Sequence, residues 1–195
     1  MKPIVIYRSQ TGHTERYAQW IAEELGCEAV SYKNRGTVDL AMFDPVIFGS
    51  WFHAASIPGA KWLKQQIAAY PDKRFVLFAT GASPMPEQGG STEEIEEAVR
   101  RTFPAEAYAA LPWFYLRGGF SMEKLGAVDR TLMKMFFSRT EKLAESDPKA
   151  AEMDAAMKAG FDSTDRALLE PLLSYVRGLD GEDSGGVGRT DGSRG

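Results

Sequence analysis

The residues best suited to chemistry lie together near the amino terminus: Ser9, Gln10, Thr11, Gly12, His13 and Thr14 follow one another without interruption. The hydroxyls, carboxamide and imidazole can all donate hydrogen bonds, and the glycine lets the backbone come close to a ligand. Such a set suits an oxyanion. Where a turn of this kind joins a strand to a helix, the first helical amides have no intrahelical acceptor, and the helix dipole adds partial positive charge at the same place. No lysine follows Gly12, so the segment is not the nucleoside-triphosphate loop G-x-x-x-x-G-K-[ST]. It is not G-x-G-x-x-G either, which argues against a dinucleotide pyrophosphate. The plainer reading is an ordinary turn in which Thr11 or Thr14 does no more than cap the helix.

The flanking pattern supplies the elements such a site needs. Residues 2–7 are an apolar run of strand length, and Tyr17, Ala18, Ile21, Ala22 and Leu25 fall near one helical face. A second strand is predicted at 28–33, preceded by Cys27 and broken by Asn34-Arg35-Gly36; 38–43 reads as a short helix or turn. Residues 44–50 predict a third strand, apolar along its length as a strand covered on both faces is. The loop after it, 51–59, is too apolar to be merely a surface connection. A helix follows at 61–70, with Trp62, Leu63, Ile67 and Ala68 inward, then a fourth strand at 74–79 and a Gly- and Pro-rich loop at 80–90. Ser91-Thr92-Glu93-Glu94 is a capping box opening a helix to about Arg101, and 113–119 predicts a fifth strand. Strands alternating with helices imply a parallel sheet with helices on both faces. With right-handed crossovers the expected strand order is 2-1-3-4-5, and the ligand crevice lies at the switch between strands one and three.

The stretch 121–160 exceeds this five-unit pattern. A helix over 123–143 is expected to turn Leu125, Val128, Leu132, Met135 and Phe136 to one face, leaving Met133 and Phe137 off it. A second helix opens with Asp147 as N-cap and Pro148 at its first position, running through Met153 and Met157. Residues 163–177 predict the closing helix, kinked or delayed by Pro171. The expected layout is one domain over 1–178, with 121–160 as a helical insertion and 179–195 as a flexible tail poor in aromatics.

Ser9-Gln10-Thr11-Gly12-His13-Thr14 resembles the flavodoxin phosphate loop, [S/T]-x-T-G-x-T, in its place after the first strand. The resemblance implies a flavodoxin-like three-layer α/β sandwich and a flavin mononucleotide (FMN) cofactor, whose phosphate the hydroxyls and amides would hold without a metal. In that family the loops after strands three and four flank the flavin ring; the matching positions are Ser50, Trp51, Phe52 and His53, and Thr80, Gly81, Ala82 and Ser83. Trp51 and Phe52 suit a flat aromatic wall, the alternative being core packing. His53 reads equally well as a surface polar residue or as a contact to flavin or substrate, and His13 as a loop residue of no special role. The second loop lacks the Tyr or Trp that many flavodoxins stack on the ring, which would leave one ring face open to a bulky substrate.

The segment from Gly118-Gly119-Phe120-Ser121-Met122 through Asp129-Arg130-Thr131-Leu132-Met133-Lys134-Met135, with Phe161-Asp162-Ser163-Thr164-Asp165 beyond, is similar to the menaquinone-dependent protoporphyrinogen dehydrogenases, as is the Gly49-Ser50-Trp51-Phe52-His53 loop. That likeness implies oxidation of a porphyrinogen with electrons passed to a quinone. The insertion is then either a lid that receives the substrate or a helical hairpin packed permanently on the sheet. Two rivals remain: a one-electron carrier, and a flavin-free interaction module. No side chain is assigned a catalytic role and no metal is expected.

The 195 residues carry 23 basic and 27 acidic side chains, a net charge of -4, which gives no reason to expect nucleic acid as a partner. The charge also lacks the strong acidic excess with which electron carriers dock basic partners. A single cysteine excludes an internal disulfide framework and fits a reducing compartment. With no signal-peptide pattern and no apolar run of spanning length, a cytoplasmic protein is expected, with peripheral contact to the inner face of the membrane through 121–160 as a further expectation.

Overall fold

A computed structural model describes residues 2–53, 56–85, 90–144 and 148–182. The chain runs β1 (Lys2–Tyr7), α1 (His13–Leu25), β2 (Glu28–Ser31), β3 (Phe43–Trp51), α2 (Ala60–Ala69), β4 (Phe75–Gly81) and α3 (Thr92–Thr102). It continues with α4 (Ala105–Tyr108), β5 (Trp113–Arg117), β6 (Gly119–Phe120), α5 (Ala127–Ala144), α6 (Pro148–Ala159), β7 (Phe161–Asp162) and α7 (Glu170–Glu182). The five long strands form one parallel sheet in the expected order, β2-β1-β3-β4-β5.

Alternation along each strand divides the core into two layers. Ile4, Ile6, Val46, Phe48 and Leu77 pack with Leu63 of α2 and Val99 of α3. Val5, Ile47, Val76, Phe78 and Leu116 point the other way and meet Tyr17 and Ile21 of α1 and Leu172 and Val176 of α7. Burying one such side chain is worth roughly 1.5–3 kcal/mol. A one-residue slip would exchange the two sets, so the apolar pattern itself fixes the register.

Several boundaries depart from the sequence pattern. β3 is longer by one residue at each end, and β2 stops at Ser31, where a 3₁₀ turn over Tyr32–Thr37 takes up Asn34-Arg35-Gly36. In α2, Leu63 is fully buried while Ala68 is exposed, because the helix presses on the sheet through its first turns. β5 ends at Arg117, and the chain leaves the sheet at Gly118 to pair β6 with β7 in an antiparallel ladder, Gly119 opposite Asp162 and Phe120 opposite Phe161. Ser163 N–H closes it onto Gly118 O at 2.8 Å.

That ladder is the base from which α5 and α6 rise. α5 begins at Ala127, after a turn in which Leu125 N–H reaches Met122 O at 3.3 Å, and not at residue 123. Its inward face also differs from the expected one. Phe137 is 7% exposed and lies edge-on to Phe120 at 6.2 Å, whereas Val128 is 74% and Met135 55% exposed. The helix rests on β6 and α6 and borders a cavity, so the widest apolar stripe is not the stripe that packs. The closing segment starts as a 3₁₀ turn, Arg166–Leu169, with Asp165 Oδ1 accepting from Ala167 N–H at 2.9 Å. Pro171 then falls in the first turn of α7, where its missing N–H costs nothing. α7 runs through Gly178 to Glu182 with Leu179 buried, so the expected tail cannot begin at 179. Asp147 and residues 183–195 lie outside the described residues. No helix among the described residues is long and apolar enough to cross a membrane.

Candidate functional site

The carboxyl ends of β1, β3 and β4 and the start of α1 border a cavity of about 490 Å³, and the insertion forms its remaining wall. Arg8 N–H prolongs the β1–β3 pairing by one bond to Gly49 O at 2.8 Å before the chain turns. Ser9 Oγ then accepts from Gly12 N–H at 3.1 Å, and Gly12 takes φ of 96°, a left-handed conformation that a side chain would strain. Thr11 Oγ1 and His13 Nδ1 are 2.9 Å apart. Thr14 turns inward: its hydroxyl lies 2.8 Å from Thr80 Oγ1, and both hydroxyls approach Ser50 O at 3.5 and 3.4 Å. The first turn of α1 is thereby tied to β3 and β4, leaving the leading amides of the helix as the donors of the turn.

His13 is a buried residue of the turn. It sits under the exit of β5, where a Cβ on Gly119 would come within 2.7 Å of His13 Nε2 and 2.3 Å of Phe161 O. Burial lowers its pKa, against the opposing pull of Asp162 at 4.0 Å, and keeps the ring neutral near pH 7. Asp162 is itself held at about 2: burial alone would raise it, but the Thr164 hydroxyl and amide and the Arg16 guanidinium outweigh that. Nearby, Tyr17 donates to Arg117 O at 2.6 Å and accepts from Asp165 N–H at 3.1 Å, and burial pushes its phenol up to about 12.

From β3, Trp51 lies with the Arg8 guanidinium 5.7 Å from its ring, and Phe52 leans on Tyr115 at 5.9 Å. Phe52 N–H is fixed to Thr80 O at 2.9 Å, which sets the two loops against each other. His53 pairs its backbone with Ser56 and places Nε2 3.0 Å from Asp129 Oδ1 of α5. The other oxygen of that carboxylate accepts from Gln10 Nε2. Hydrogen bonds from Gln10 and then His53 hold Asp129 below the ordinary carboxylate range. One side chain of the insertion thus grips both the phosphate-type turn and the loop after β3.

Of the sequence-predicted residues, Gln10, Thr11, His13, Thr14, Trp51, Phe52, His53, Thr80, Gly81 and Ala82 meet at the cavity wall. Four stand behind it or beside it. Ser50 is fully buried with Oγ on Pro58 O at 2.6 Å, Ser83 offers its carbonyl to the Tyr115 hydroxyl at 2.7 Å, Gly12 shapes the helix start, and Ser9 borders a neighbouring hollow. Burial pushes the Tyr115 phenol well above its usual value. Gly119, Phe120 and Asp129 belong to the segment that carries the resemblance but not to the residues expected at the site, and all three line the cavity. Leu125, Leu132 and Phe136, from the face expected of the insertion's first helix, line the cavity together with Met133 and Met157. The Met and Phe content of 121–160 signals an apolar wall; nothing local marks Asp129, whose partners are more than 75 residues away in sequence. Among the described residues no cluster could hold a metal ion.

A cavity with donors of the β1–α1 turn on one part of its wall and aromatic and aliphatic side chains on the rest suits a flat molecule that carries one anionic group. Comparison with known proteins bears on which. A flavodoxin from the domain Archaea is 19% identical, with 60% of this chain and 83% of that one aligned at a TM-score of 0.41. A proposed flavoprotein of Bacteroides uniformis ATCC 8492 is 18% identical over 60% of this chain and 88% of its own, with a TM-score of 0.39. The Trp repressor binding protein of Bacillus subtilis is 12% identical over 59% and 84%, with a TM-score of 0.35. Likenesses this distant carry no argument of their own, and no protein of curated function matches. The flavodoxin domain model, however, matches residues 4–147, most of the chain and all five strands of the sheet: the protein belongs to the flavodoxin domain family.

Proposed function

We propose that the protein binds FMN and acts as an oxidoreductase on a bulky, largely apolar substrate such as a quinone or a porphyrinogen. One observation carries the reading: a donor-lined turn at the start of α1 opens into an apolar cavity of about 490 Å³ whose outer wall is the insertion. The residues present fit the cofactor. The turn from Ser9 to Thr14 has the size and donor chemistry for a monophosphate, and its lack of lysine or a pyrophosphate fingerprint favours FMN over a dinucleotide. Trp51 and Phe52 offer the aromatic wall, and the backbone of Thr80, Gly81 and Ala82 offers polar contacts to a ring edge. Bound there, the flavin would supply the electron-transfer chemistry. The chain's own part is binding, orientation and exclusion of water. Leu125, Met133, Phe136 and Met157 provide a pliable surface for a second flat molecule, which a simple carrier does not require.

Reconstitution with FMN, riboflavin and FAD, followed by the visible spectrum and anaerobic turnover with quinones and porphyrinogens, tests the reading. FMN should bind more tightly than riboflavin, and Thr11→Ala should narrow the gap. Equal affinity for FMN and riboflavin would remove the phosphate role of the turn. A colourless protein would leave an interaction module, and a yellow protein without turnover would leave a carrier.

A further inference from the structure

Next to the cavity lies a second hollow, of about 620 Å³, with Arg8, Lys33, Arg35 and Tyr32 on its wall. Gln10, Trp51, His53 and Asp129 border both spaces, so the two adjoin along a shared wall. Elsewhere the described arginines mostly meet carboxylates or, like Arg130, backbone carbonyls. Arg16, Arg74, Arg100, Arg101, Arg166 and Arg177 each lie within 4.0 Å of a carboxylate. Among the described residues, Arg8 and Arg35 have no such partner; they lie on the Tyr32 ring, at 5.4 and 3.9 Å from its centre.

Their placement is built into the fold. Arg8 is held by the Gly49 carbonyl through its backbone and touches Trp51 as well as Tyr32. Arg35 rides the 3₁₀ turn after β2 and spends one N–H on Tyr32 O at 2.7 Å. Stacking engages the face of a guanidinium and leaves its edge donors able to fork onto an oxyanion. Two cations against one ring repel each other unless an anion joins them. The nearest negative charge on this wall, Asp129, is committed to Gln10 and His53. The hollow is therefore acidic toward the cavity and basic toward β2.

We propose that Arg8 and Arg35, with Lys33 beside them, form a second anion site, separate from the phosphate-type turn. It takes the carboxylate or phosphate arm of a molecule whose flat body crosses Trp51 toward the cavity. The site stands on its own residues; its part in turnover rests on the flavin reading. Flat acids are its ligand class, and Asp129 turns the anionic arm away from the cavity end.

Calorimetric titration of the FMN-saturated protein with 2-naphthoate and with 2-naphthyl phosphate tests this, and the two arms separate carboxylate from phosphate. The variants are Arg8→Gln, Arg35→Gln and both together, with Arg100→Gln as the control on α3. The expected result is binding of at least one probe, weakened about tenfold or more in the double variant, with FMN affinity within about twofold of wild type and no effect of the control. Equal binding by wild type and double variant, or binding of neither probe, overturns the proposal. Loss of FMN in place of the probe also overturns it, since the arginines would then serve the cofactor phosphate. The same titration without FMN separates the two readings: arginine-dependent probe binding by a protein that takes up no flavin keeps the site and removes the flavin.

Discussion

Removing the Asp129 carboxylate should loosen the insertion without unfolding the sheet. In the native protein that carboxylate accepts from Gln10 and from His53, and its side chain is 24% exposed. Two hydrogen bonds at a partly solvated site are worth together about 1–2 kcal/mol, below the value for buried charged pairs. Asp129→Ala should therefore shift the closed-to-open balance of α5 toward opening by about 5- to 30-fold. Hydrogen exchange reads this directly: amides of Ala127–Ala144 should lose that factor of protection, while those of β1, β3 and β4 keep theirs. The pH dependence has a definite sign. Because Gln10 and then His53 lower the carboxylate pKa, the contact is fully present above the ordinary carboxylate range and is lost as pH falls through the lowered value. Protection factors of α5 in the wild type should drop below about pH 4, and those of the variant should be flat there. Unchanged protection in Asp129→Ala would refute the reasoning and make the ladder of β6 and β7 the sole fastening of the insertion.

Gly119→Ala should cost about 1–3 kcal/mol in a denaturant titration, because the new methyl meets the Phe161 carbonyl, which cannot yield as a side chain could; a variant of wild-type midpoint would contradict that contact. Tyr17→Phe orphans Arg117 O and Asp165 N–H together and should destabilise by about 1–2 kcal/mol, checked by thermal unfolding. Asp162→Asn should abolish the part of the acid unfolding curve that the wild type shows as pH falls from the ordinary carboxylate value through about 2, since a lowered carboxylate pKa contributes stability only above that window. In protein loaded with FMN, Trp51→Ala should raise flavin emission and weaken the cofactor; unchanged emission and affinity would assign Trp51 to packing alone.

The sheet was legible because its central strands β1, β3 and β4 are apolar on both faces and every strand is separated from the next by a helical pattern or a turn cluster. That alternation is a local property, and Val46 through Phe48 or Val76 through Phe78 express it without knowing their neighbours. The donor-rich turn between β1 and α1 was legible for the same reason: its hydroxyls, carboxamide and imidazole are contiguous in the chain. The insertion was not. Periodicity can find the apolar stripe of α5, but the choice between Phe137 and Val128 depends on where Phe120 stands, and that is set by the break at Gly118. His13 was equally opaque: its burial comes from a glycine pair more than a hundred residues away, whose close approach leaves no mark near the turn. Arg8 and Arg35 look like solvated charges in sequence, and only the tertiary position of Tyr32 brings them to one ring.

The ladder of β6 and β7 has a further consequence. Because Gly119 stands opposite Asp162, the chain departs and returns at a single doorway, and everything between is an excursion that the sheet's own connectivity does not need. Its ends are already joined, so trimming or exchanging the excursion demands little extra loop-closure entropy from the domain beneath. A different cap can thus be fitted at the same doorway, and the wall of the cavity exchanged as one cassette, without disturbing the five-stranded sheet beneath it.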